Sequence, residues 1–185
     1  MEASAIKSLK GQLLVAPASL ADPNFTRTVV LMIQHNDEGA LGLILNRPSG
    51  MTVSEGWKQV SELPCLAEGF LHQGGPCQGP LMVLHSQAEA GEVEVLPGLF
   101  FSTEETHVED LVTGSVSPTR CFVGYAGWSP GQVEAEIAAG GWLITPAMPD
   151  HVFADGPDLW STLTCRLTLG MEVNPNVIPN DPRLN

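Results

Sequence analysis

Basic residues are scarce in this sequence. Its 185 residues include 8 Lys and Arg against 21 Asp and Glu, which gives a formal net charge of −13. A protein that binds nucleic acid by neutralising phosphates needs clustered Lys and Arg, so no direct nucleic-acid partner is expected. An apolar run of about 20 residues, the length of a membrane helix, is also missing, and no membrane partner is expected.

The sequence also lacks the patterns of a metal site. Its four cysteines, Cys65, Cys77, Cys121 and Cys165, contain no Cys-x-x-Cys pair, and its five histidines show no ligand spacing. We expect no metal and no other cofactor. The apolar stretch before Pro17 is shorter than the apolar core of a signal peptide, which favours a cytoplasmic protein with free thiols.

Apolar residues and turn formers are plentiful. Hydrophobic residues make up 43% of the chain, which excludes a disordered protein, and 19 Gly and 15 Pro provide many turns. The length fits one domain. We predict a single domain over residues 1–170, with residues 171–185 as its extended C-terminal tail.

Hydrophobic patterns predict hairpins first and helices later, a succession typical of an α+β protein with a mixed sheet. The clearest element is a hairpin with strands at 28–33 and 41–45 around a turn at 36–39. Other strands are predicted at residues 9–16, 70–73, 80–85, 92–96, 99–102, 120–126, 142–145 and 152–153. Helices are predicted from capping boxes that begin at Thr52, Ser102 and Ser129, and from Pro157.

Three segments match a known family. They are residues 11–16 with 22–30 and 46–48, residues 74–76, and residues 124–137, which read Gly-Tyr-Ala-Gly-Trp-Ser-Pro-Gly-Gln-Val-Glu-Ala-Glu-Ile. Together they resemble the AlgH/YqgE family of bacterial proteins over nearly the whole chain. The resemblance implies a bent mixed β-sheet in a barrel-like core with several flanking short helices. It implies no established biochemical activity, and the family label of transcriptional regulator comes from genetics.

Two arginines of the first matching segment are candidate ligand-binding residues. Arg27 precedes the first hairpin strand, and Asn46 and Arg47 follow the second, so all three belong at one end of the pair. There the arginines could form a small anion-binding spot. Alternatively, each pairs with a carboxylate such as Asp22 or holds a loop carbonyl.

The other candidates lie in glycine-rich turns. Gly74 and Gly75 could present backbone N–H groups to an anion, or could simply end a strand with a bend. In the turn at 124–132, Tyr125 and Trp128 are candidate contact residues, with Trp128 expected to be exposed. Gln132 is a further candidate there, although a reciprocal cap with Ser129 explains it better.

These residues support two hypotheses. The first is a non-catalytic binding or regulatory module that acts through the turn at 124–132 on a protein or small-molecule partner. The alternative is an enzyme that grips an anionic small molecule through Arg27 and Arg47, with a histidine or cysteine supplying the chemistry. Glu134 and Glu136 point about 200° apart on a helix, so they do not form a paired catalytic site. The partner's identity and the oligomeric state stay open.

Overall fold

The computed structural model describes residues 8–154 and 158–170. The predicted tail at 171–185 and Pro157, predicted to open the last helix, lie outside the described residues. The described strands are β1 Gln12–Val15, β2 Val29–Asn36, β3 Gly39–Ile44, β4 Pro48–Thr52, β5 Phe70–Gln73, β6 Met82–His85, β7 Val93–Leu96, β8 Leu99–Ser102, β9 Thr119–Val123, β10 Ala126–Trp128 and β11 Leu143–Pro146. The described helices are α1 Val53–Trp57, α2 Glu105–Thr113, α3 Gln132–Ala138, α4 Pro149–Phe153 and α5 Leu159–Thr168, with a 3-10 turn at Ala88–Ala90.

The strands form two sheets. The first has the order β10-β3-β2-β1-β11 and is antiparallel throughout; the second has the order β4-β5-β9-β6-β8-β7. The second sheet is mixed, because β5 and β9 run parallel with His72 opposite Phe122. The predicted α+β class is therefore confirmed. The strands are divided between two packed sheets rather than one bent sheet, and among the described strands neither sheet closes into a barrel.

The apolar run of β2 is buried because both of its faces are covered. Val29, Leu31 and Ile33 lie in a core between the two sheets, which includes Phe122 of β9. The alternate residues of β2 lie in a second core, under α3 and the tryptophans of the first sheet. A third core joins the outer face of the second sheet to α1 and α2. Strand periodicity thus places successive side chains of one strand in different cores.

The predicted hairpin is confirmed, with β2 and β3 paired from Val30–Ile44 to Asn36–Gly39. The strand predicted at 120–126 is present as β9 but ends at Val123, because Gly124 has a φ of +73° and separates β9 from β10, which belongs to the other sheet. The predicted strand at 152–153 is wrong. Those residues lie in α4, which begins at a proline that suits the first turn of a helix.

The three predicted capping boxes have three outcomes. At Thr52 the box is complete: its hydroxyl accepts the N–H of Glu55 at 3.2 Å, and the Glu55 carboxylate accepts the N–H of Thr52 at 2.8 Å. The box at Ser102 is wrong, because Ser102 stays in β8 and α2 starts later. At Ser129 only the N–H bond to Gln132 Oε1 forms, since α3 begins after a left-handed Gly131.

A partly buried carboxylate caps α2 instead of a serine. Glu92 precedes β7 and accepts the N–H groups of Thr103 at 2.8 Å and Glu104 at 2.7 Å. These bonds satisfy donors at the positive end of the helix. The sequence separation explains why a local motif did not predict this cap. In the described part of the chain, no helix is long and apolar enough to cross a membrane.

His85 is a fully buried titratable group in β6. The Ser102 hydroxyl donates to Ala90 O, so it accepts the Nε2–H of His85 at 2.9 Å. The N–H of Gln87 donates to Nδ1 at 3.2 Å. Burial lowers the pKa of His85, against the opposing effect of the nearby Glu92 carboxylate. The imidazole is therefore held neutral by a complete hydrogen-bond network.

We predict that His85 makes folding sensitive to mild acid. Below pH about 6.5 the histidine is protonated in the unfolded state, whereas buried His85 stays neutral in the folded state. Protonation therefore favours the unfolded state, and the unfolding free energy falls as pH decreases. The His85→Gln variant cannot titrate and should lose less stability between pH about 7.5 and 5.5. Urea unfolding at both pH values measures the difference. The pKa of His151 is also lowered by burial, so His151 still contributes to the pH dependence of stability in that variant. Equal pH slopes for both proteins would contradict the prediction.

Candidate functional site

A cleft of about 700 Å³ opens where the second sheet meets the segment after β3, the end of α4 and the start of α5. Its basic groups are Arg27, His72, Arg120 and His151, and its acidic group is Asp158. Two guanidiniums and two imidazoles thus share one cavity in a chain with only 8 Lys and Arg. This concentration of basic groups makes the cleft the candidate site.

Strand alternation places two of these groups on the cleft face of the second sheet. Phe70 and His72 line the cleft, whereas Leu71 between them lies in the core under α1 and α2. On β9, Arg120 lines the cleft. The ring of Phe122, two residues further along β9, packs against His72, with 5.7 Å between the two ring centroids. Each strand therefore gives alternate side chains to the core and to the cleft.

The backbone of Arg27 is held in an unusual conformation. Its φ is +56°, in the left-handed region that non-glycine residues rarely occupy. The side chain of Asn46 fixes it there: Nδ2 donates to Arg27 O at 2.9 Å, and Oδ1 accepts the N–H of Val29 at 2.9 Å. Asn46 lines the cleft, but its amide is engaged with the backbone, so it positions Arg27.

The Arg27 side chain is oriented by two contacts. Its guanidinium carbon lies 4.7 Å from the ring centroid of Trp160, a cation–π contact. Its Nη2 lies 3.6 Å from Asp158 Oδ2, and 63% of the side chain is exposed. That separation exceeds the roughly 2.7–2.9 Å of a charge-assisted hydrogen bond. The guanidinium is therefore held in place with donors still directed to solvent.

Asp158 is the second strained residue at the cleft. Its φ is +75°, and within residues 8–154 and 158–170 only Arg27 and Asp158 have positive φ without being glycine. Asp158 also caps α5, since its Oδ1 accepts the N–H of Ser161 at 3.0 Å. The Ser161 hydroxyl also donates to Asp158 Oδ2. The hydroxyl bond and the backbone bond to Ser161, with a smaller effect from Arg27, lower the pKa of Asp158. Backbone strain of this kind clusters at ligand sites, and here it lies on both partners of one ion pair.

The two imidazoles hold their protons on different nitrogens. His151 Nδ1 accepts the N–H of Met148 at 3.1 Å, so in the neutral ring the proton lies on Nε2. Burial lowers the pKa of His151, and the positive charge of Arg166 lowers it further. His72 Nδ1 lies 3.0 Å from Phe70 O, an acceptor, and therefore carries the proton. Arg120 Nη2 donates to Ala154 O at 3.5 Å.

A second cleft of about 530 Å³ adjoins the first. The two share Gly69, Phe70, His72 and Arg120 as a common wall, and the second is completed by Glu68 and the loop at 115–119. Phe70, His72 and Arg120 therefore border both clefts. Polar side chains from that loop line the second cleft.

Arg47, the other predicted anion-binding arginine, does not line either cleft. Its guanidinium donates to Asn24 O, to Pro23 O at 3.3 Å and to Thr26 O at 3.4 Å. It thus holds loop carbonyls, one of the two alternatives that the sequence left open. Arg27 pairs with a carboxylate, but with Asp158 rather than Asp22. The two arginines are close in the fold and have different tasks.

Gly74 and Gly75 lie at the junction of the two sheets. A Cβ on Gly75 would lie 2.1 Å from the carbonyl carbon of Tyr125, so only glycine fits between the backbones. The N–H of Gly74 donates to Val123 O at 2.9 Å. Tyr125 exchanges backbone bonds of 2.9 and 3.0 Å with Cys77. These residues join backbone to backbone, and the Gly74 amide is not directed to a ligand.

Trp128 is buried, with 6% of its surface exposed, so its predicted role as an exposed contact is wrong. Its indole N–H and that of Trp142 both donate to Glu136 Oε2, at 3.0 and 2.9 Å. Gln132 Nε2 donates to the other carboxylate oxygen at 2.9 Å. The carboxylate thus organises the second core from inside. Glu134 points elsewhere, to His35 Nε2 at 2.8 Å, as the helical spacing predicted.

A family model described as AlgH-like (DUF179) matches residues 13–172. The chain belongs to the AlgH-like family. A UPF0301 protein of Chlorobaculum tepidum is 43% identical over 158 residues, which cover 82% of each chain. The solution structure of the AlgH protein from Pseudomonas aeruginosa is similar with a TM-score of 0.73 and 34% identity, over 92% of this chain and 93% of that one. A crystal structure of a protein from Corynebacterium diphtheriae has a TM-score of 0.69 and 29% identity, over 84% and 85%.

The resemblance to the AlgH/YqgE family is therefore confirmed, but the family segments did not locate the cleft. Of the eight predicted residues, Arg27 and Asn46 line it, and the others lie at the sheet junction, in the second core, under a loop or at the exposed start of α3. The sequence analysis missed Phe70, His72, Arg120 and Asp158. A usable signal was the polar residue in an otherwise apolar strand, which marks the face that a strand turns away from the core.

One group of side chains in the described part of this AlgH-like chain has metal-ligand geometry. Ligand atoms of Glu92, Glu104 and His107 lie within 4.8 Å of one another. However, Glu92 Oε1 already accepts two backbone N–H groups and faces His107 Nδ1 at 3.2 Å. The group also lies at the start of α2, where the helix dipole disfavours a cation. Capping explains this arrangement better than metal binding.

We predict that Glu136 stabilises the AlgH-like fold through the two indole groups. Glu136→Ala leaves two largely buried N–H donors without an acceptor, which should lower the unfolding free energy by about 2–4 kcal/mol. Glu136→Gln keeps an acceptor oxygen and should cost less. Urea unfolding measures both, with exposed Glu62→Ala as the control. Equal stability of Glu136→Ala and the control would contradict the assigned role.

Proposed function

We propose that this AlgH-like protein binds a small organic anion in the cleft lined by Arg27, His72, Arg120 and His151. The observation that carries the proposal is the presentation of Arg27, whose guanidinium lies over Trp160 in a strained backbone held by Asn46. A guanidinium fork matches the oxygens of a carboxylate or phosphate. Fixing it before binding reduces the entropy that the ligand must overcome.

The protein's overall charge does not oppose this proposal at short range. A net charge of −13 repels anions at a distance, but salt screens that repulsion beyond about 8 Å at physiological ionic strength. Among the described residues that line the cleft, the charged groups are the guanidiniums of Arg27 and Arg120 and the carboxylate of Asp158. Local attraction therefore decides binding, and the acidic exterior selects against polyanions such as DNA.

A binding function at the cleft replaces the earlier hypothesis of binding at the turn at 124–132. That turn is built into the second core through Trp128 and Glu136. A regulatory effect of this protein would follow from ligand occupancy in the cytoplasm rather than from contact with DNA. The enzymatic alternative uses the same cleft, since a substrate must bind before it reacts.

We predict that Arg27→Gln weakens the binding of inorganic phosphate by about tenfold or more, because it removes charge-assisted hydrogen bonds to the anion. Lys58→Gln removes the same charge from an exposed position after α1 and should bind like the wild type. Isothermal titration calorimetry compares the three proteins. Wild-type affinity in Arg27→Gln, or an equal loss in Lys58→Gln, would refute a specific role of Arg27.

We predict that Asp158→Asn strengthens phosphate binding by about two- to fivefold, because an exposed carboxylate competes with the ligand for Arg27 by the small free energy of a surface ion pair. Asparagine tolerates the left-handed backbone and still accepts the Ser161 N–H, so α5 keeps its cap. Asp37→Asn, in the exposed turn of the hairpin, makes the same change in net charge and is the control. The same calorimetric titration applies, and an increase shared by the control would count against competition at Arg27.

A further inference from the structure

We propose that the ligand is a phosphate monoester with a flat ring, and that Phe70 is the surface on which the ring stacks. This inference rests on the proposed function, because Arg27 binds the phosphate. Phe70 is 53% exposed although it is large and apolar. It lies on the wall shared by the two clefts, beside His72 and Arg120.

Exposure alone does not distinguish Phe70, since single exposed apolar side chains are common on proteins. Val60, for example, is 75% exposed after α1 and lines neither cleft. Phe70 differs in its position, because it lies inside a concave, basic site rather than on a convex surface. An aromatic ring there can be covered only by something that enters the cleft.

The size of the site requires more than an inorganic anion. The first cleft has a volume of about 700 Å³, and a second cleft of about 530 Å³ adjoins it at Phe70. Volumes of this order accommodate organic ligands of the size of common drugs and cofactors. Leu45, Pro48 and Leu159 give the first cleft apolar walls. The site therefore combines an anion-binding end with an apolar body.

A flat ring suits the centre of this site better than an alkyl chain. Aromatic side chains bind planar rings by stacking, and a guanidinium beside them adds a cation–π contribution. The cleft is open beside the backbone of Gly69, the residue before Phe70, where an added Cβ would meet no atom within 4 Å outside its chain neighbours. Where the phosphate would bind, Arg27 presents its guanidinium N–H groups, and the neutral imidazole of His151 presents its Nε2–H. Phosphate accepts from both kinds of donor.

The test compares three probes by isothermal titration calorimetry: inorganic phosphate, phenyl phosphate and cyclohexyl phosphate. Phenyl phosphate should bind about tenfold more tightly than inorganic phosphate, with cyclohexyl phosphate between them, since stacking needs a π face. Phe70→Ala should remove the gain from the phenyl ring and leave the affinity for inorganic phosphate unchanged. Phe70→Tyr should keep the gain, and Val60→Ala should behave like the wild type.

The outcomes separate this inference from the proposed function. If inorganic phosphate binds through Arg27 but phenyl phosphate binds no more tightly than cyclohexyl phosphate, ring stacking is overturned and the anion site stands. A phenyl gain that survives in Phe70→Ala overturns the role of Phe70. If neither phosphate nor phenyl phosphate loses affinity in Arg27→Gln, the proposed function fails. Because Phe70 is exposed, its substitution leaves the described cores intact, and a thermal melt verifies folding.

Discussion

The close approach of two backbone segments at the sheet junction is the constraint on which the rest of the structure depends. Gly75 lies against Tyr125 with no room for a Cβ, and Gly74 O accepts the N–H of Ile44 at 2.8 Å. The contact of Gly75 joins the end of β5 to the segment that links β9 with β10. The hydrogen bond of Gly74 joins the end of β5 to the end of β3. Since Asn46 lies just beyond the end of β3 and binds the backbone of Arg27, the junction brings the Arg27 loop to the face of β5 that carries Phe70.

Local patterns predicted the parts of the fold whose partners are near in sequence. The hairpin of β2 and β3 and the cap at Thr52 follow local motifs, a hairpin turn and a capping box, that can be recognised in the sequence. The separation of β9 from β10 and the cap of α2 follow no such motif and depend on how the strands pack. Glu92 reaches Thr103 across two strands, and no short motif encodes that contact. Tertiary packing therefore decided the elements that were predicted wrongly.

The candidate site was only partly predictable for the same reason. Arg27 drew attention because basic residues are few, and that argument used composition alone. His72, Arg120 and Asp158 come from three separate stretches of the chain, and only the fold brings them to one cavity. Trp128 and Gln132 were conspicuous in the sequence, and both donate hydrogen bonds to Glu136, Trp128 from the second core and Gln132 from the exposed start of α3. The conspicuous motif at 124–137 thus contains residues that stabilise the fold, whereas His72, Arg120 and Asp158, which line the cleft, belong to no motif recognised in the sequence.

In the proposed anion site, the pair of Arg27 and Asp158 would keep the guanidinium ordered before a ligand binds. A lone guanidinium among acidic surroundings would adopt many rotamers, and ordering it on binding would cost free energy. Trp160 and Asp158 restrict it beforehand, yet the 3.6 Å separation leaves the carboxylate a weak competitor. Asp158 meanwhile keeps its stronger bonds to Ser161 at the start of α5. An incoming oxyanion can therefore take over the arginine without disrupting the cap that holds Asp158 in place.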